Sequence, residues 1–77
     1  MARDGIWSKK AKYGKYSALK FVYDNPGCKK NDFCNGNFRA FQNVQYHIDE
    51  GNIEFKYGSF YSLLITPKGI NLLESLE

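Results

Sequence analysis

Apolar positions follow two rhythms along this chain, and the change between them comes at Gly51. Before it the spacing is helical. Tyr16, Leu19, Val22 and Tyr23 predict a first helix from about Ser8, its N-cap, to Asp24. Asn25-Pro26-Gly27 stops that helix, because the residue before a proline is pushed out of the α region. The stretch "CKKNDFCNG" predicts a short second helix over about 28–35, with Phe33 inward and Gly36 as its left-handed cap. Asn37 then caps a third helix, "FRAFQNVQYHIDE", over about 38–50. Phe38, Phe41, Val44 or Gln45, and Ile48 make its expected inner face, and Arg39, Gln42, Asn43 and Tyr46 another.

After Gly51 the period becomes two. "NIEFKY" alternates Ile53, Phe55 and Tyr57 with Glu54 and Lys56, and "FYSLLI" follows Gly58-Ser59. This predicts a hairpin of about 52–57 with 60–65 around a two-residue turn. Thr66 caps a last helix with Pro67 at its first position, and Ile70, Leu73 and Leu76 or Leu72 face the core. A two-stranded hairpin does not stand alone in water. The strand that runs into the closing helix therefore sews the hairpin to the helical body. The expected fold is α+β, in the order helix-helix-helix-strand-strand-helix. It forms one domain over residues 1–77, with residues 1–7 as an arm whose Ile6 and Trp7 dock on the body.

Composition narrows the class. A chain of 77 residues holds one small core. At 43% hydrophobic and 17% aromatic it is too apolar for disorder. No apolar run approaches the ~18 residues of a membrane span, and the N-terminus lacks a signal peptide's apolar centre. A cytoplasmic protein with no membrane partner is expected.

Charge adds direction. Residues 1–39 carry nine Lys/Arg against three Asp, a net of +6, whereas residues 40–77 carry two Lys against five acids, a net of −3. One basic end suggests a polyanion partner; lysines that merely solvate a surface are the competing explanation. Cys28 and Cys34 form no CxxC pair, and His47 is the single histidine, too few ligands for a four-coordinate metal. Structural thiols, or a disulfide between the two, are expected, with no metal and no cofactor. His47 is placed at the rim of the third helix, and Trp7, Tyr13 and Tyr16 in core or dimer contacts. No nucleophile set or phosphate-cradling loop is present, so neither an enzyme nor a small-molecule substrate is expected.

The segments "YSALKFVYDNPG", "NGN", "HIDEGNIEF" and "YSLLITPKGINLLE" resemble the winged helix-turn-helix family, over about residues 13–77. The resemblance implies double-stranded DNA binding, with the third helix in the major groove. Arg39, Gln42, Asn43 and Tyr46 suit that role, since Arg pairs with guanine and Asn or Gln with adenine edges. Asn37, at the start of the same helix, belongs to the expected contact set. Lys29, Lys30, Lys56 and Tyr57 are the expected backbone contacts, and Lys9, Lys10, Lys12 and Lys15 are further phosphate candidates. The short tip, with Lys56 as its nearby cation, argues against deep minor-groove insertion by the wing. A regulator acting by site occupancy, as a homodimer on a palindrome, is the expected function. Its size and its Asn, Lys, Tyr and Phe content suit a virus or plasmid. The rival expectations are a protein-docking module without specific DNA binding, and a single-strand or RNA binder.

Overall fold

The computed structural model describes residues 9–76. Its elements are α1 (Lys15–Asp24), α2 (Lys30–Cys34), α3 (Phe38–Asp49), β1 (Ile53–Phe55), β2 (Leu63–Ile65) and α4 (Pro67–Leu76). The result is a small α+β arrangement of four helices and a two-stranded antiparallel hairpin, in the expected order. The proposed cap Ser8 and the arm of residues 1–7 lie outside the described residues.

Helix α1 starts later than the sequence pattern suggests. Gly14 takes the N-cap position, after a turn closed by Gly14 N donating to Ala11 O. Tyr16, Ala18, Leu19 and Val22 are buried, whereas Tyr23 is exposed. The helix ends at Asn25, ahead of Pro26 as expected, and the Asn25 side chain also donates to Phe21 O. In α2 the C-cap is Asn35, itself left-handed with φ of 47°, and the expected Gly36 follows it with φ of 81°. Asp32 accepts from Lys29 N, which fixes the start of this five-residue helix.

Helix α3 begins where expected, with Asn37 Oδ1 accepting from Ala40 N at 2.9 Å. Its inner face matches the expectation at Val44 and Ile48 but not at the two phenylalanines. Ala40, Asn43, Val44 and His47 are buried, while Phe38 is 73% and Phe41 44% exposed. Small residues occupy the inner face where α1 and α3 pack: Ala18 and Ala40 are both fully buried.

The hairpin pairs Ile53 with Ile65, Glu54 with Leu64 and Phe55 with Leu63. The expected two-residue turn would have set Phe55 opposite Ser62, so the register moves by one residue. Residues 56–62 form the tip instead. A turn within it joins Ser59 N to Lys56 O, with Gly58 at a φ of 81° that other residues resist. β2 has a second partner that periodicity did not reveal. Leu63 N donates to Cys28 O and Leu63 O accepts from Gly27 N, so the α1–α2 connection lies along the other side of β2.

The closing segment "TPKG" is accounted for residue by residue. Thr66 Oγ1 accepts from Gly69 N at 3.0 Å and donates to Gly51 O at 2.7 Å. Pro67 opens α4, where its missing N–H costs nothing. Lys68 Nζ donates to Glu50 O at 2.6 Å. A Cβ on Gly69 would lie 2.1 Å from Asn52 O, so only glycine lets α4 come this close to the chain leaving α3. Leu73 is buried, and Leu72 and Leu76 pack on the core as expected.

Candidate nucleic-acid interface

Helix α3 is held on its inner side by polar groups as well as by packing. His47, expected at the rim, is fully buried. Its Nε2 lies 2.8 Å from Lys15 O, a carbonyl that can only accept, so Nε2 carries the proton. Nδ1 then accepts from Asn52 Nδ2 at 3.0 Å. Burial pushes the imidazole below its ordinary range and keeps it neutral. One ring thus ties the start of α1, the body of α3 and the entry to β1 together. Asn43 does similar work one turn earlier, with Nδ2 donating to Tyr13 O at 2.7 Å.

That bond corrects the expected base-reading set. Asn43 is buried and its amide donor is taken, so it supports α3 from behind. Asn37 is likewise occupied as the N-cap. Arg39 and Gln42 are exposed, and Tyr46 is half-buried. The outer side of α3 therefore presents Arg39 and Gln42, flanked by Tyr46 and by Gln45, with Phe38 at its N-terminal end.

A lysine sits on each flank of that surface. Lys15 Nζ lies 4.2 Å from the centre of the Tyr46 ring. On the other flank Lys30 Nζ donates to Gln45 Oε1 at 2.7 Å and lies 4.6 Å from the Phe41 ring and 6.0 Å from the Phe55 ring. Gln45 in turn donates to Asp49 Oδ1. Lys29, at the α2 N-cap, lies 5.2 Å from the Tyr61 ring at the base of the hairpin tip. Lys56 and Tyr57 are exposed on the tip itself. The elements thus bring Arg39, Gln42, Tyr46, Lys15 and Lys30 together around α3, and Lys29, Lys56 and Tyr57 around the tip.

Sequence reasoning missed Phe60 and Tyr61 as surface groups, and gave Lys15 no place beside α3. Alternation assigned the two rings to a strand, and the signal against that was Ser59, whose hydroxyl extends the loop past the expected turn. The thiols of Cys28 and Cys34 are unpaired and buried, and burial raises both, with Asp32 adding to the effect at Cys28. Among the described residues no group of three or more His, Cys, Asp or Glu could hold a metal, and no helix is long and apolar enough to cross a membrane. Comparison with protein families, characterised proteins and solved structures finds no match to this chain.

Proposed function

We propose that this chain is a winged helix-turn-helix domain that binds double-stranded DNA and acts by occupying its site. In this reading α2 and α3 form the helix-turn-helix, the hairpin is the wing, and α3 enters the major groove. The observation that carries it is the outer side of α3. Arg39 and Gln42 point outward from a helix anchored at Asn43 and His47, with Lys15 and Lys30 on its two flanks. Base edges need such donors and acceptors on a rigid support, and phosphates need cations on either side. Lys29 and Lys56 extend the phosphate contacts to the hairpin. A homodimer on a palindromic site completes the proposal, since one module spans only a few base pairs.

Fluorescence anisotropy of labelled duplex pools at two salt concentrations tests it. Duplex binding is expected to weaken steeply with salt, each phosphate contact contributing roughly 0.9 to the log–log slope. Arg39→Ala with Gln42→Ala is expected to weaken specific binding by about tenfold or more. Duplex affinity that is absent at low salt, or unmoved by the double variant, sinks the proposal.

One observation favours a second reading, a protein-docking module. Phe38 and Phe41 are exposed apolar rings on the same helix. Under that reading Phe38→Ala abolishes a protein interaction while duplex affinity stays at the weak, salt-sensitive level of any basic surface.

A further inference from the structure

The hairpin tip leaves three rings in solvent. Tyr57 is 95% exposed, Phe60 92% and Tyr61 59%. They do not hang from a slack loop. Ser59 N donates to Lys56 O at 2.9 Å, and the Ser59 hydroxyl accepts from Tyr61 N at 3.2 Å and Ser62 N at 3.0 Å. Lys56 N donates to Ser62 O at 2.7 Å across the base of the tip. The backbone that carries the rings is thus fixed by four hydrogen bonds, although Tyr57 and Phe60 bury almost nothing.

Cations accompany the rings. Lys56 belongs to the tip, and Lys29 Nζ stands 5.2 Å from the Tyr61 ring. Residues 56–62 contain no acid. Glu54, the nearest along the strand, is paired opposite Leu64, and alternation turns it away from the Phe55 side. Rings carried on a fixed backbone, with Lys56 in the tip and Lys29 beside Tyr61, match what an unpaired stretch of nucleic acid offers, π-faces next to phosphates. A protein hot spot instead sits in a pocket ringed by residues that exclude water. Rings exposed to this degree have no such surround.

We propose that the tip is a stacking site for unpaired nucleobases of a DNA strand. Tyr57 and Phe60 cover the base faces, and Lys56 and Lys29 meet the flanking phosphates. This rests on the duplex reading above and narrows its target to DNA that carries a bulge beside a paired stretch.

The test uses the full chain and two labelled DNAs, a blunt duplex and the same duplex with a single-stranded bulge containing 2-aminopurine. The parent protein is expected to prefer the bulged form by roughly tenfold and to quench the 2-aminopurine. Tyr57→Ala with Phe60→Ala is expected to lose both effects, binding the two DNAs equally, and to keep its circular dichroism. Phe60→Leu, which retains an apolar side chain without a ring, is expected to lose most of the quenching. Equal affinity of the parent for both DNAs overturns the inference and leaves the duplex reading standing. A preference that survives in the double variant overturns it too. So does a parent dimer in sedimentation that the double variant splits, with no bulge preference, since the rings then face a second copy. Absence of binding to either DNA defeats the duplex reading along with the inference.

Discussion

The side-chain amide of Asn52 donates to His47 Nδ1 across 3.0 Å, a bond that suits the neutral ring which burial already favours. A proton on Nδ1 would face the Asn52 NH2 group, with Lys15 O already accepting from Nε2. The ring is therefore buried in its neutral form.

Stability is expected to fall as pH drops. The folded-state value of His47 lies below its ordinary one near 6.5, through burial first. Above that value both states are neutral and the group has no pH effect. Below it the unfolded chain takes up a proton that the folded chain refuses, so stability is lost until the folded value is reached. Urea midpoints compared at pH 7.5 and pH 5.5 check this. The parent should unfold earlier at the lower pH, and His47→Leu should flatten the His-linked part of the difference. That variant should also lose about 2 kcal/mol at pH 7.5, because it leaves Lys15 O and the Asn52 amide unpaired.

Gly69→Ala should destabilise the chain, against the helix scale. Alanine in a helix interior normally gains about 1 kcal/mol over glycine. Here the new methyl meets Asn52 O, a backbone atom that cannot swing away, and Ile65 Cγ1 at 2.8 Å. A net loss of roughly 1–3 kcal/mol is expected. A thermal scan of the variant reads it directly, and a raised melting temperature would show that α4 does not sit this close.

Asn43→Ala and Arg39→Ala should separate folding from binding. The first leaves Tyr13 O without its donor and should cost about 1–3 kcal/mol of stability. The second removes an exposed side chain and should leave the unfolding midpoint within about 0.5 kcal/mol of the parent. Under the proposed function it nevertheless weakens duplex binding. Denaturation and anisotropy on the same two variants make the comparison.

Cys28 and Cys34 should react slowly with a thiol reagent in the folded chain. Both are buried, and raised thiol values leave little thiolate at neutral pH. Ellman's reagent should show two slow thiols in native buffer and two fast ones in denaturant. Fast native reaction at either position would contradict its burial.

Much of this fold was legible because several signals act locally. Asn37 caps α3, and Thr66-Pro67 opens α4, through bonds that span three residues. The inner face of α3 was not legible in the same way. Size pointed to Phe38 and Phe41, yet the crossing with α1 takes Ala40 and Val44, and the remaining inner places go to Asn43 and His47. Those two are satisfied by the carbonyls of Tyr13 and Lys15, some 30 residues away, and no periodicity encodes a distant carbonyl. For that reason Asn43 leaves the proposed base-reading set, whereas Arg39 and Gln42 are exposed, as the helical pattern implies. The hairpin register slipped by one because Ser59 closes a longer tip through its hydroxyl.

The pairing of Leu63 with Cys28 bears on aggregation. An open strand edge is a template on which another chain can extend a sheet. β2 offers no such edge at Leu63, because the α1–α2 connection already occupies its N–H and its carbonyl. The outer edge left to β1 is three residues long, with exposed Glu54 at its centre and Lys56 just beyond it. A short, charged edge is poor ground for strand addition, so this two-stranded sheet is also guarded against growing.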